Sequence, residues 1–299
     1  MQQTTLPRAI SRQHHYKESP QKQEADGSPT WITRGNTFIV AMTEVRAGTE
    51  LLREDNRDEY MVVVPPGLPV TMQAGDQKLR SEGDALIIVP PGPSQVRCEG
   101  SGIVARIFSA CAHDLAGLAA NAQCYADSEQ IVPGPAPLAG YRLRQYQLAD
   151  HYKPEGNLIQ PRIFRSDSLM VNAFAPFRAP RPTDDLRPHW HDDFEQGSVV
   201  MRGTWIHHLR TPWGTDLSTW REDEHLEIGA PSVTVFPATV IHASRNLTPD
   251  AWLLDVFSPP REDFLRAGLV LNAAEYPQLE EAAASDGRDV PQAWRSQRA

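Results

Sequence analysis

Short apolar segments separated by turn residues make up most of the chain. In the first half they cover 37–45, 60–64, 85–89 and 103–108. In the second half they cover 168–174, 195–201, 205–209, 232–236 and 252–257. Period-two alternation and β-branched runs of this length predict strands. Helical periodicity is confined to 112–123, 261–270 and 278–285. The pattern therefore predicts an all-β chain of sandwiches or barrels with a few short helices.

The two halves also resemble each other, which indicates a tandem duplication. Four pairs of segments match in the same order, at offsets of 149, 151, 146 and 136: 107–115 with 256–264, 121–125 with 272–276, 83–91 with 229–237 and 58–60 with 194–196. Slowly changing offsets are what insertions into a repeat would produce. The offset increases from 136 to 146 between 195 and 229, which predicts a longer hairpin in the second copy, around 211–225.

The repeat and the turn residues suggest how the chain is divided. A polar opening segment without an apolar run predicts a disordered arm, and a Pro-rich stretch predicts a linker between the copies. The expected divisions are a disordered arm over 1–30, a first barrel over 31–130, a linker over 131–165, a second barrel over 166–276 and a tail over 277–299.

Composition narrows the classes of function. With 29 Lys and Arg against 38 Asp and Glu, the net charge of −9 argues against a nucleic-acid partner and gives no support for docking on anionic membranes. Pro is nearly twice as frequent as the usual ~5%, with 26 in 299 residues, which argues against a helical bundle. No apolar run approaches the ~18 residues of a membrane span. Cys98, Cys111 and Cys124 have neither CxxC nor CxC spacing, so we expect a reduced, cytoplasmic protein.

The residues with the most specific chemistry lie in the second half. His189 and His191 are two apart, so on a strand both imidazoles would point to one face. Glu195 falls on that face if the strand continues, and His242 in a Pro-bounded segment offers a third imidazole. Three neutral imidazoles and one carboxylate suit a divalent transition metal and leave open positions for water or substrate. These four residues are the predicted metal ligands.

The same residues resemble the two motifs of the cupin superfamily. His189, His191 and Glu195 match HxH(x)3–4E of the first motif, and His242 and Asn246 match P(x)4H(x)3N of the second. Together with the duplication, the chain resembles a bicupin, with two double-stranded β-helix (jelly-roll) barrels. The resemblance implies that His189, His191, Glu195 and His242 bind the metal.

The match departs from the family pattern at four turn positions. Thr183 stands where the first motif has a Gly, and Gly203 lies one residue later than expected after the Glu. Gly229 is two residues further from Pro237 than usual, and Thr239 replaces a Gly.

The first copy lacks the ligand set. At an offset of 136, Arg53, Asp55 and Glu59 stand in the places of His189, His191 and Glu195, and at an offset of 146 Val96 stands in the place of His242. We therefore expect one divalent metal per chain, in the C-terminal barrel. Fe²⁺ is preferred, and Zn²⁺, Mn²⁺ and Ni²⁺ are the alternatives.

Several other residues are candidates for contacts with a substrate or with the metal ligands: Arg202, His207, Arg245 and Asn246. Arginines can bind a carboxylate with two hydrogen bonds, although a surface ion pair is the alternative for each. His207 and His208 are adjacent on a strand and point to opposite faces, so only one can line the barrel. The long hairpin, which carries Trp213 and Trp220, could cover the barrel mouth.

Three functions are compatible with these features. The first is an enzyme acting on a small organic molecule as an Fe²⁺ dioxygenase, with an aromatic or dicarbonyl substrate, because the ligand set leaves two open metal positions. The second is a Zn²⁺- or Mn²⁺-dependent isomerase, cyclase or lyase. The third is a non-catalytic barrel that binds a small ligand. The sequence assigns no catalytic residue, and a homodimer is left open.

Overall fold

The computed structural model describes residues 10–15, 17–128 and 131–277, and each half of the chain forms a β-barrel. The first half contains β1 (Ser11–His14), β2 (Lys22–Gln23), β3 (Pro29–Arg34), β4 (Phe38–Val45), β5 (Glu50–Arg53), β6 (Tyr60–Val64), β7 (Val70–Ala74), β8 (Gln77–Ser81), β9 (Ala85–Val89), β10 (Ser94–Cys98), β11 (Gly102–Ser109), α1 (His113–Leu118) and β12 (Arg144–Gln147). The second half contains β13 (Ile163–Arg165), β14 (Met170–Ala173), β15 (Gln196–Arg202), β16 (Thr204–Arg210), β17 (Glu224–Gly229), β18 (Ser232–Phe236), β19 (Ile241–Asn246), β20 (Trp252–Phe257) and α2 (Glu262–Arg266). The expected all-β fold with a few short helices is confirmed.

Each barrel consists of one large and one small antiparallel sheet. In the first barrel the strand orders are β12-β9-β6-β11-β4-β3-β2 and β5-β10-β7-β8. In the second they are β1-β18-β15-β20-β14-β13 and β17-β16-β19. The burial of the strands explains the layers. β6 and β9 are buried along their whole length, because one face of each packs in the barrel core and the other in the contact between the barrels, whereas β7 and β10 of the small sheet are buried on one face.

The two large sheets pack against each other through one apolar cluster. It includes Phe38 and Met61 from the first barrel and Val199 and Leu254 from the second. At Gly197 a β-carbon would lie 2.8 Å from the ring of Phe38, so this close approach requires a glycine. The first residues of β15 are therefore held directly against the first barrel.

The duplication is visible in matched contacts. The side chain of Asn121 bonds both the N–H and the C=O of Arg34, and that of Asn272 bonds the same two groups of Arg165. The Arg34 guanidinium lies 5.1 Å from the ring centroid of Tyr125, and that of Arg165 lies 4.6 Å from that of Tyr276. Repeated side-chain contacts of this kind support a common origin of the two halves.

The expected disordered arm over 1–30 is wrong for the residues that the structure describes there. β1 pairs with β18 of the second barrel, while β2 and the start of β3 join the first. Gln13 is buried and its side chain bonds those of Thr33 and Gln21, and the ring of His15 stacks on Trp31 at 4.7 Å. The polar composition of this segment does not predict a strand, because the strand forms by pairing with a partner more than two hundred residues away. Residues 1–9 and 16 lie outside the described part.

The expected linker over 131–165 also contributes to the barrels. β12 pairs with β9 in the large sheet of the first barrel, and β13 forms the outer strand of the second. The helical patterns at 112–123 and 261–270 give α1 and α2, whereas 278–285 and almost all of the expected tail lie outside the described residues. Within the described residues, neither helix is long and apolar enough to cross a membrane.

Candidate metal centre

Two backbone hydrogen bonds bring the histidine segments together. The N–H of His189 donates to the carbonyl of His242 at 3.1 Å, and the N–H of His242 donates to that of His189 at 2.8 Å. His242 lies on β19, but His189 and His191 lie in the segment before β15 and not on the expected strand. The carbonyl of His191 accepts the N–H of Thr239, whose φ of +70° is the conformation that a glycine adopts most easily. The positive φ of Thr239 thus explains why the family pattern has Gly at that position.

The three imidazoles converge on one point. Their potential ligand atoms all lie within 4.8 Å of one another. The ring centroids are 4.5 Å apart for His189 and His242, and 5.2 Å apart for the other two pairs. His242 is buried and His189 is exposed, so the cluster lies at the edge of the barrel interior, where a ligand could enter.

Backbone carbonyls orient two of these rings. Nδ1 of His189 lies 3.1 Å from the carbonyl oxygen of Arg187, and Nδ1 of His242 lies 2.9 Å from that of Val240. Because a carbonyl oxygen can only accept, each Nδ1 carries the hydrogen and each Nε2 keeps a lone pair. This is the arrangement in which histidine binds a metal through Nε2.

The protonation states also suit metal binding. Burial is the main cause that lowers the pKa of His191 to about 4 and that of His242 to about 3. Both rings are therefore neutral at pH 7, and neutral imidazole is the form that binds metals. The donor set of this site fits a divalent transition metal.

Glu195 is not part of the cluster, which corrects its assignment as a ligand. Its Oε2 accepts the backbone N–H of Asn36 at 2.7 Å and the hydroxyl of Tyr125 at 3.0 Å, both from the first half of the chain. The repeat explains this position: Glu59 in the first copy likewise accepts the backbone N–H of Asp167 at 3.1 Å and the hydroxyl of Tyr276 at 2.7 Å. Both glutamates therefore fasten one barrel to segments of the other copy.

The next residue, Gln196, faces the histidines instead. Its Oε1 lies 2.9 Å from Nε2 of His191 and 3.4 Å from Nε2 of His242. Its Nε2 donates to Oδ1 of Asp255 at 2.9 Å, which fixes the amide with its oxygen toward the imidazoles. Asp255 is buried, and burial raises its pKa to about 7. Two features of the sequence indicated Gln196: the spacing HxH(x)4, and the position of Gly203 one residue later than in the family pattern. No nearby motif indicated Asp255.

In the first barrel, the residues that stand in the places of the histidines make other contacts. The Arg53 guanidinium forms a salt bridge with Asp114 at 2.6 Å and lies 5.1 Å from the centroid of the Phe108 ring. Val96 belongs to the apolar core of that barrel. Among the described residues, His189, His191 and His242 form the one group of three metal-binding side chains that converge.

A cavity of about 290 Å³ opens beside the histidines. His189, His242, Gln196 and Asp255 line it on the polar side, together with Ser244 and two arginines. Its apolar wall consists of Ile159, Phe174, Phe177, Leu186, Trp205 and Leu253. The two arginines are Arg181 and Arg187, which precede the histidines in a loop without a recognisable motif, so sequence reasoning missed them.

Of the four residues proposed for substrate contacts, none lines this cavity. The Arg202 side chain is exposed and donates to the carbonyl of Asp250, and Arg245 donates to the carbonyl of Arg181. Asn246 bonds the N–H of Arg181 and the carbonyl of Ala179, so it holds the loop that carries Arg181. His207 is buried with Nδ1 2.8 Å from Ser244 Oγ, one layer behind the cavity.

Two further expectations concern the outer strands of the second barrel. His208 points outward and contacts His225, so of the two adjacent histidines it is His207 that faces inward. Trp213 and Trp220 stack on each other with ring centroids 4.2 Å apart and stay exposed, and neither lines the cavity. The structure therefore gives no support for a tryptophan lid.

Comparisons with known proteins bear on the fold. No family model matches the chain, and no curated protein matches it. Among solved structures, oxalate decarboxylase from Lactobacillus farciminis, in complex with formate, aligns with a TM-score of 0.54 and 13% identity over 87% of this chain and 88% of its own. This likeness supports the expected fold of jelly-roll barrels.

Two other solved structures align equally widely. HEPD from Streptomyces albus, with its substrate 2-hydroxyethylphosphonate and Fe(II) bound, has a TM-score of 0.56 and 8% identity over 87% of this chain and 78% of its own. The protein Ylba from E. coli has a TM-score of 0.54 and 10% identity over 85% and 92%. At such identities the likeness concerns the fold alone.

Proposed function

We propose that this chain is a metal-dependent enzyme that acts on a small organic molecule. The observation that carries the proposal is the set of three converging imidazoles beside a cavity of about 290 Å³. His189 and His242 would hold a divalent metal through Nε2, and His191 would hold it through a ring nitrogen. Gln196 replaces Glu195 as the fourth protein ligand, because its Oε1 already lies among these nitrogens.

The first reaction we propose is dioxygenation of an aromatic or dicarbonyl substrate with Fe²⁺. When bound, the metal would supply coordination sites for a chelating substrate and for O₂. The chain's own residues would hold the substrate and exclude water: Phe174, Phe177 and Trp205 form an aromatic wall. HEPD, which shares the fold, was solved with Fe(II) bound.

A redox-neutral reaction with Zn²⁺ or Mn²⁺ is the second candidate, and Asp255 favours it. Its buried carboxyl lines the cavity, and burial raises its pKa to about 7. A carboxyl with such a pKa can both accept and release a proton near neutral pH, as isomerases, cyclases and lyases require. Asp255 would hold the proton while the metal polarises a substrate carbonyl.

Metal analysis combined with O₂ uptake separates these candidates. The purified protein is stripped with a chelator and reloaded with Fe²⁺, Zn²⁺ or Mn²⁺, and each form is tested on aryl and dicarbonyl compounds. O₂ consumption with Fe²⁺ alone supports the dioxygenase, and turnover without O₂ supports the second candidate. The protein would instead be a binding protein if removal of the metal leaves the ligand affinity unchanged and no metal supports turnover.

A further inference from the structure

The cavity beside the metal centre has a surplus of positive charge. Asp255 is the one acidic residue that lines it, among the described residues, and Arg181 and Arg187 line it too. Arg187 forms a two-point salt bridge with Asp185 at 2.7 and 2.9 Å, so its charge is compensated. Of the proposed ligands, Gln196 carries no charge, whereas a Glu in its place would have added one negative charge. A bound dication and Arg181 would therefore exceed the single charge of Asp255.

Among the residues that the structure describes, Arg181 has no acidic partner within hydrogen-bonding distance. Its side chain donates to two neutral acceptors, the carbonyl oxygens of Ser244 at 2.8 Å and Asp185 at 2.7 Å. Its Nε is buried and has no partner among the described residues. The nearby Asp185 carboxylate is already engaged by Arg187. A half-buried guanidinium with unused donors is most stable when an anion completes it.

Two side chains hold the backbone of Arg181 in place beside the cavity. Asn246 accepts the N–H of Arg181 at 3.0 Å, and Arg245 donates to its carbonyl at 2.7 Å. The apolar wall of Phe174, Phe177 and Trp205 can cover a ring or a branched chain. A volume of about 290 Å³ lies at the lower end of the range for small-molecule sites, so the cavity suits a small ligand.

We propose that the cavity selects small organic carboxylates with an aromatic or branched apolar body, and that Arg181 binds their carboxylate. This inference rests on the proposed function, because it concerns the substrate class of the same site. It also moves the anion-binding role away from Arg202 and Arg245, which do not line the cavity.

The test compares phenylacetate with phenylacetamide, which have nearly the same size and differ in charge. Binding to the Zn²⁺-loaded protein is measured by calorimetry at constant ionic strength. We expect phenylacetate to bind about tenfold or more tightly than phenylacetamide, since a hydrogen bond to a charged group is worth about 1.4 kcal/mol or more. Arg181→Gln should remove most of this preference, Arg181→Lys should keep part of it, and the exposed Arg202→Gln should leave it unchanged.

Equal affinity of the wild type for the two probes, or no measurable binding of phenylacetate, overturns the inference without reference to any variant. An unchanged preference in a folded Arg181→Gln protein overturns the role of Arg181. The same titrations with metal-free protein separate this inference from the proposed function. A preference that depends on Arg181 without metal supports the anion site, even if His242→Ala shows that the metal lies elsewhere.

Discussion

Glu195 and Gln196 are neighbours in the chain, and their side chains leave the backbone on opposite sides. Glu195 bonds Asn36 and Tyr125 across the contact between the two halves, and Gln196 faces His191 and His242. Because side chains alternate along extended backbone, a shift of one residue exchanges an interface contact for a metal ligand.

The first prediction separates these two roles. Gln196→Leu should lower metal affinity by about tenfold or more, because an apolar group would replace the amide oxygen beside two Nε2 atoms. Glu195→Gln should keep the metal and lower the free energy of unfolding by about 1–3 kcal/mol, since it loses a charged acceptor for two buried donors. Metal titration and chemical denaturation measure the two effects. Loss of metal in Glu195→Gln, with Gln196→Leu unaffected, would restore Glu195 as the ligand.

The second prediction concerns Asp167, which lies buried between the halves. Burial, followed by the charges of Glu59 and Asp58, raises its pKa to about 8. Protonated Asp167 is thus favoured in the folded state, so its contribution to stability is complete below the unfolded pKa near ~3.9 and is lost as the pH rises toward 8. Asp167→Asn can keep an acceptor for the N–H of Glu59 and should flatten this loss.

The measurement is the free energy of unfolding of both proteins between pH 5 and pH 8. We expect the stability of Asp167→Asn relative to wild type to increase with pH, by on the order of 1 kcal/mol or more over this range. Asp76→Asn, in an exposed turn, is the matched control and should follow the wild-type curve. A difference between Asp167→Asn and wild type that does not change with pH would mean that Asp167 is already ionised at pH 5.

Among the described elements, β1 is a strand of the first half that pairs with a strand of the second barrel. It covers the edge of β18, and β2 and β3 then enter the sheet of the other barrel. An edge strand left bare exposes unpaired backbone groups. The short β1 therefore protects the sheet that contains β15 and the start of the metal centre.

The third prediction follows from this pairing. Removal of residues 1–15 should lower the melting temperature by several degrees, because it strips β1 from β18 and removes the buried side chain of Gln13. Gln13→Ala in the full chain should cause a smaller decrease, since it keeps the main-chain pairing. Thermal unfolding measured by circular dichroism compares the three proteins. A truncated protein that melts at the wild-type temperature would restore the expectation of a disordered arm.

In the whole molecule, one barrel carries the candidate chemistry and the other supports it. The first barrel has an apolar core and contributes Asn36 and Tyr125 to the contact with Glu195. It thereby holds the segment that positions His191 and Gln196. Among the described residues, the duplicated halves carry two matched interface glutamates and one set of converging imidazoles.

The fourth prediction is one tightly bound divalent metal per chain. His191→Ala and His242→Ala should each reduce metal content severalfold or more, whereas His225→Ala, on the outer surface, should retain it. Elemental analysis of the purified proteins measures the ratio. Two metals per chain in the wild type, or loss of metal from His225→Ala alone, would contradict the assignment.

The sequence by itself determined the features that depend on local spacing. Period-two runs predicted strands, and ordered matches between the halves predicted two similar barrels. His189, His191 and His242 were recognisable because their spacing within short segments is itself the signal, and the loss of histidine at Arg53 and Val96 predicted a single centre. Each of these inferences needs only residues that are close in the chain, or a comparison of one half with the other.

Only the tertiary structure decided which residues surround the histidines. The exchange of Glu195 for Gln196 depends on the register of one strand against the other barrel, the contact with Asp255 on a pairing across fifty-nine residues, and the place of Arg181 on a loop tied to β19. The pairing of β1 with β18 spans most of the chain. Such contacts leave no period in the sequence, because the residues that make them are neighbours only after the sheets have formed.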